Sequence, residues 1–168
     1  MAPRLPGLVM PLARWRMRDI VGHLLAPAEQ DKLAKHHAAK RTAGYALNVN
    51  LLGEAVLGER EAKRRLDELL GLLDQPDIDY VSVKISAVAS QLNHFAHADS
   101  LRRVTERLRV LVDKASSVVP PTFVNFDMEE YHDLDLTREA FMSVLGEEQY
   151  LDVDAGIVLQ AYLPDAFP

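Results

Sequence analysis

The distribution of apolar and polar residues divides most of the chain into alternating short and long segments. Four short runs with strand-like alternation lie at residues 46–52, 80–86, 122–127 and 156–162. Three longer stretches have apolar residues spaced by three and four positions, which predicts helices at residues 59–73, 99–118 and 137–148. This alternation of strands and helices indicates parallel strands joined by crossover helices.

The first 44 residues lack this alternation and are predicted to form a helical arm. Helices are expected at residues 13–25 and 28–41, with Pro27 between them. Residues 1–41 contain eight Lys or Arg and three Asp or Glu. A basic segment can contact nucleic acid or anionic lipid, but no nucleic-acid motif accompanies it. We therefore interpret residues 1–44 as a solvated arm and residues 45–168 as a separate domain.

The faces of the predicted strands favour a barrel over a doubly wound sheet. Val81 and Val83 point to one side of their strand, whereas Ser82 and Lys84 point to the other. A doubly wound sheet is covered on both faces and has nearly continuous apolar strands. A β/α barrel has an inner face that can become polar near its catalytic mouth. The expected fold is therefore α/β, with strands of a TIM-type barrel.

The number of strands limits how much of a barrel is expected. A (β/α)8 barrel needs eight strands and about 250 residues, whereas this sequence of 168 residues predicts four strands. We therefore expect a partial TIM-type barrel of about four βα units after the arm. Such a half barrel has two open sheet edges, which could lead to self-association.

Composition excludes several classes of protein and site. The chain has no cysteine, so disulfides, thiolate metal sites and cysteine nucleophiles are excluded. No apolar run reaches the roughly 18 residues typical of a membrane span, and no signal peptide is recognised. The expected location is cytoplasmic.

Four segments resemble the proline dehydrogenase domain of bifunctional proline utilisation proteins. They are NVNLLGEAV at residues 48–56, YVSVKIS at 80–86, NFDMEEY at 125–131 and GIVLQAY at 156–162. The resemblance implies a distorted β/α barrel that holds FAD and oxidises L-proline to Δ1-pyrroline-5-carboxylate, on the route from proline to glutamate. It also implies a quinone or membrane electron acceptor and a peripheral position at the inner membrane face.

The resemblance also implies roles for five residues of this sequence. Lys84 corresponds to the lysine that meets the substrate carboxylate, and Asp127 to an acidic residue that arranges the active site. Met128 corresponds to a position beside the flavin, and Gln160 to a glutamine of the fourth strand that hydrogen-bonds the flavin ring. Glu54 corresponds to a glutamate that pairs with an arginine as a gate. The family's later flavin contacts and its carboxylate-binding arginines have no counterpart among the four segments.

The residues alone leave other interpretations open. Lys84 could form an internal ion pair with Asp127, because a buried charge needs a partner. An inward lysine and aspartate would also suit another barrel enzyme with a small anionic substrate. A further alternative is a non-catalytic truncated remnant or an assembling half barrel.

The remaining acidic and histidine residues do not predict a site. The spacing of acids and His132 in residues 127–133 defines no metal-ligand set, so no metal is expected. Glu129 and Glu130 are interpreted as charges at a helix entry, which the helix dipole favours. His94, His97 and His132 are interpreted as surface loop residues.

Overall fold

The computed structural model describes residues 6–22, 30–51 and 55–164, and its chain divides into two compact units, Met1–Ala46 and Leu47–Pro168. The first unit contains helices α1, Pro6–Val21, and α2, Gln30–Thr42. Helix α1 begins earlier than predicted, because a proline at the first helical position lacks only an N–H that would have no helical partner. Pro27 lies outside the described residues.

The second unit alternates strands and helices as predicted. Its elements, in chain order, are β1 (Val49–Asn50), α3 (Glu59–Leu72), β2 (Tyr80–Lys84), α4 (Ile85–Val88), α5 (His97–Ser117), β3 (Phe123–Asp127), α6 (Leu134–Leu145) and β4 (Ala155–Ile157). The four strands form one parallel sheet in the order β1-β2-β3-β4. Helix α5 packs against α3, α6 and β3. The predicted parallel strands with crossover helices are confirmed.

The core lies between the sheet and the helices that follow the strands. The α5 residues Val104, Leu108 and Leu111 are completely buried. On β3, Phe126 is also completely buried, and its ring meets the edge of Phe141 from α6 at 5.4 Å between centroids. Burying side chains of this size contributes about 1.5–3 kcal/mol each. Packing against α5 and α6 therefore holds β3 in place, and with it the residues at the end of that strand.

Several predicted boundaries differ from those in the structure. Residues 85 and 86 were predicted to continue the second strand, but they form the first turn of the short helix α4. The third crossover helix was predicted to begin at Thr137, but it begins at Leu134 and buries Thr137 in its interior. In both places tertiary packing outweighs the local pattern, since Ile85 and Thr137 are each no more than 2% exposed.

Helix length and hydropathy decide whether a helix can cross a membrane. Within the described ranges, no helix combines the length and apolar character that a membrane crossing requires.

Candidate active site

The ends of the first three strands bring polar side chains together at one edge of the sheet. Asn50 ends β1, Lys84 ends β2 and Asp127 ends β3. Lys84 and Asp127 lie opposite each other in the strand register. Because the strands are parallel, residues late in each strand meet at the same edge, where barrel enzymes place their catalytic groups. Lys84 and Asp127 are therefore placed where a barrel of this type has its polar, catalytic mouth.

Lys84 forms an ion pair that the sequence did not predict. Its Nζ atom lies 2.7 Å from Oε2 of Glu129, which follows β3 by two residues. The Lys84 side chain is 20% exposed, whereas that of Glu129 is 59% exposed. Because the Glu129 carboxylate is largely hydrated, water stabilises it when it leaves the lysine. Another anion that approaches Lys84 could therefore replace Glu129.

Asp127 accepts hydrogen bonds from two amide side chains. Nδ2 of Asn125 lies 2.6 Å from Oδ1, and Nδ2 of Asn50 lies 3.2 Å from Oδ2. Burial raises the pKa of Asp127 above its ordinary value of 3.8, while the hydrogen bonds with Ser82 and Asn125 and the charge of Lys84 act in the opposite direction. Asp127 is thus a fixed, partly buried acceptor beside a cation.

A line of polar side chains continues below Asp127 on the same face of the sheet. The hydroxyl oxygen of Ser82 accepts hydrogen bonds from Asn48, at 2.8 Å, and from Asn125, at 3.3 Å. Ser82 and Asn125 are 3% and 7% exposed. These groups can be buried because they bond to one another. The polar face expected from the strand pattern is therefore present, and it forms a connected network that orients Asp127.

The other predicted site residues lie in different surroundings. Met128 is 2% exposed and lines the same small cavity as Lys84 and Asp127. Gln160 donates from Nε2 to the carbonyl oxygen of Glu129 at 3.0 Å, so it reaches the same edge. Its predicted position within the fourth strand is wrong, because β4 ends at residue 157 and only the N–H of residue 158 extends the bonding to β3. Glu54 lies outside the described residues.

Sequence reasoning missed three residues that complete this edge. Asn125 was detectable, because it lies two positions before Asp127 and so shares its strand face. Asn50 belongs to the first recognised segment but was given no role. Glu129 was interpreted as a helix-entry charge, and nothing in the sequence indicates that its carboxylate reaches Lys84 on the neighbouring strand.

His94 and His132 lie in short helical turns, and His97 lies at the start of α5. His94 and His132 are exposed. His97 is the first residue of α5, and its Nε2 atom lies 2.8 Å from a carboxylate oxygen of Glu139 on α6. His97 is therefore part of a contact between two helices and not a free loop residue.

Known proteins of similar sequence and structure identify the fold. The sequence model described as proline dehydrogenase matches residues 33–168. The curated proline dehydrogenase of Deinococcus radiodurans is 26% identical over 156 residues, which cover 90% of this chain and 48% of that protein. The chain thus spans about half the length of this curated relative.

Two solved structures agree in fold and in sequence. Proline Utilization A from Corynebacterium freiburgense is 44% identical with a TM-score of 0.83, over 98% of this chain and 18% of that chain. Proline utilization A from Bdellovibrio bacteriovorus, inactivated by N-propargylglycine, is 30% identical with a TM-score of 0.73, over 81% of this chain and 16% of that chain. The predicted α/β class with strands of a partial TIM-type barrel is confirmed. The family match covers most of the chain, and the chain therefore belongs to the proline dehydrogenase family.

Proposed function

We propose that this chain provides one side of the active site of an FAD-dependent proline dehydrogenase, which oxidises L-proline to Δ1-pyrroline-5-carboxylate in proline catabolism to glutamate. The observation that carries the proposal is the Lys84 cation at the carboxyl edge of the parallel sheet, paired with an exposed carboxylate and adjacent to Asp127. Membership of the family supports the choice of proline over other small anions.

The ion pair of Lys84 suggests how a substrate carboxylate would bind. Glu129 keeps the lysine charge compensated before substrate arrives, at 2.7 Å between Nζ and Oε2. An amino-acid carboxylate offers the same type of oxygen and could take the place of Glu129. A hydrogen bond to a charged group contributes about 1.5–3 kcal/mol. Lys84 would therefore bind and orient the carboxylate, and Asp127 would remain the fixed acceptor beside it.

The polar groups at this edge fit a flavin. Gln160 carries an amide, which can both donate to and accept from the alternating polar groups of an isoalloxazine ring. Asp127 supplies an acceptor oriented by Asn125, and Met128 supplies a polarisable thioether on the cavity wall. We propose that Gln160, Asp127 and Met128 hold the FAD. The chemistry supplied by a bound FAD would be acceptance of the hydride from proline.

The electron acceptor and location belong to the same proposal. The resemblance supports a quinone acceptor and a cytoplasmic enzyme at the inner face of the membrane. Proline-dependent reduction of a soluble quinone analogue, compared with and without lipid vesicles, would test both points.

The test of the proposed function combines a flavin spectrum with proline-dependent reduction of a dye. Because this chain provides only one side of the site, we expect bound flavin and turnover in wild-type protein that contains the chain together with the rest of the barrel. Lys84→Met should lower kcat/KM for proline by about ten- to a hundredfold, equivalent to the loss of one charged hydrogen bond, and should retain the flavin absorbance. Lys63→Met is the matched control, because Lys63 pairs with Asp67 on the exposed face of α3.

Two results would contradict the proposal. Protein that lacks both flavin and turnover would favour the non-catalytic interpretation. Turnover of a different anionic substrate, with no response to proline, would favour another barrel enzyme.

A further inference from the structure

Two histidines and a buried aspartate come together between the segment after β2 and the segment after β3. Nε2 of His94 and Nε2 of His132 each lie 3.6 Å from the same atom, Oδ1 of Asp133. The two imidazole rings are 5.1 Å apart and nearly perpendicular. One ligand atom from each of the three residues falls within 4.8 Å of the others. This arrangement brings three metal-ligating groups close together.

The aspartate at the centre of this cluster lacks a hydrogen bond that its burial requires. The Asp133 side chain is 9% exposed, and within the described part of the chain Oδ1 has no hydrogen-bond partner. A separation of 3.6 Å from each histidine nitrogen is too long for a hydrogen bond. An unsatisfied buried oxygen is costly and calls for an explanation. The position of Oδ1 near both rings indicates that a ligand between the three groups would satisfy it.

The spacing of Asp133 Oδ1 from the two histidine nitrogens fits a tetrahedral transition metal. Zinc binds histidine nitrogen at about 2.0–2.1 Å and carboxylate oxygen at about 2.0–2.2 Å, so tetrahedral neighbours lie about 3.4 Å apart. Both distances from Asp133 to the histidines are close to this value, at 3.6 Å. Imidazole and carboxylate together suit a divalent transition ion.

Hydrogen bonds hold both ligand-bearing segments in place. Before His94, the backbone N–H of Asn93 donates to Ser100 Oγ at 2.9 Å, and the Ser100 hydroxyl donates back to the Asn93 carbonyl at 3.1 Å. At the other segment, the N–H of Asp133 donates to the carbonyl oxygen of Glu130 at 2.8 Å. The ligands therefore project from short turns next to α5 and α6, so binding a metal would require little ordering of the chain.

We propose that His94, His132 and Asp133 bind one divalent transition ion of the zinc type. Water fills the fourth position, because among the described residues only His94, His132 and Asp133 bring ligand atoms within 4.8 Å of one another, and the Glu130 carboxylate contacts His132 alone, at 3.2 Å from Nε2. The metal would join the segment after β2 to the segment after β3 next to the candidate active site. The proposal goes beyond proline oxidation and does not depend on it.

Zinc titration of the tag-free protein tests this proposal by calorimetry and thermal denaturation. We expect one zinc ion per chain and a rise in Tm with Zn²⁺. Ca²⁺ and Mg²⁺ should have no such effect, since these ions prefer sites made of oxygen ligands. His94→Gln and His132→Gln should each weaken zinc affinity by at least about tenfold. His97→Gln is the matched control, because His97 lies outside the cluster, and it should retain wild-type affinity.

A conservative variant separates loss of the site from loss of the fold. Asp133→Asn keeps the size of the side chain and should keep the far-UV circular dichroism of the metal-free protein, while zinc affinity falls. Co²⁺ provides a second probe, because visible absorption bands of tetrahedral cobalt should appear in the wild type and disappear in His94→Gln. The proposal is overturned if the wild type binds no stoichiometric zinc, or if His97→Gln loses as much affinity as His94→Gln.

Discussion

Lys84 and Glu129 show how one side chain can be kept ready for a ligand. A lysine that is four-fifths buried would be unfavourable without a counter-charge, and Glu129 supplies that charge from a largely exposed position. Glu129 thus compensates the charge of Lys84, and its contact with water allows the carboxylate to leave the lysine. The proposed function implies that Glu129 and the substrate carboxylate compete for Lys84, and this competition can be measured.

Replacing Glu129 by glutamine should change substrate binding in the direction opposite to Lys84→Met. Glu129→Gln removes the competing charge and keeps the backbone carbonyl that accepts from Gln160. We expect the KM for proline to fall by up to about fivefold, because exposed ion pairs contribute about 0.2–1 kcal/mol. Glu106→Gln is the control, since Glu106 pairs with Arg102 on the exposed face of α5. An unchanged or higher KM in Glu129→Gln would contradict the competition.

The raised pKa of Asp127 predicts a pH dependence of stability. Between the ordinary value of 3.8 and the higher folded value, the folded state holds more protons than the unfolded state. Stability from this group is therefore present at low pH and is lost as the pH rises through the folded pKa. In Asp127→Asn this loss should be absent, so the free energy of unfolding should fall less steeply, or rise more steeply, with pH than in the wild type.

Urea denaturation at a series of pH values from about 3.5 upward measures this difference. Asp152→Asn, at an exposed turn before β4, controls for the loss of one charge. Parallel pH profiles for the wild type and Asp127→Asn would show that burial does not act on Asp127 as described.

At the scale of secondary-structure elements, the close approach of β4 to β3 depends on a glycine. A Cβ atom on Gly156 would lie 3.0 Å from Oδ1 of Asn125 and 3.0 Å from the ring of Phe123. Asn125 cannot easily move, since its amide bonds to Ser82 and Asp127. The same contact therefore limits the size of residue 156 and links the packing of β4 to the network that orients Asp127.

Gly156→Ala should destabilise the fold by about 1–3 kcal/mol, as expected for overpacking. Gly71→Ala is the matched control, because a Cβ at Gly71 in α3 meets nothing within 4 Å. That change should stabilise the protein by about 0.5–1 kcal/mol, since alanine is the better helix former. Chemical denaturation measures both, and equal stability of Gly156→Ala and the wild type would show that β4 can shift without cost.

At the scale of the whole molecule, the sheet places three candidate functional features along one edge. The candidate active site lies at the ends of β1, β2 and β3, the proposed metal cluster lies in the segments after β2 and β3, and Gln160 reaches the edge from beyond β4. Among the described residues, the edge strands β1 and β4 have only two and three residues. Short edge strands limit pairing with another chain. They would therefore restrict the predicted self-association through the open sheet edges.

The sequence by itself determined the order of elements and the edge at which chemistry was expected. Period-two and period-3.6 patterns depend only on neighbours along the chain, so they identified the strands, the crossover helices and the late positions of Lys84 and Asp127. The motif segments carried the family, which the structural relatives confirm. The assigned roles of the site residues remain predictions.

Only the tertiary structure decided which side chains meet across different elements. Glu129 reaches Lys84, and His94 joins His132 and Asp133 across 38 and 39 positions of sequence. Neither contact leaves a local pattern, because distance along the chain does not report distance in space once parallel strands bring their ends together. Residues 127–133 alone predicted no metal site. The fold adds His94 from the previous βα unit to these residues, and the proposed metal site depends on that addition.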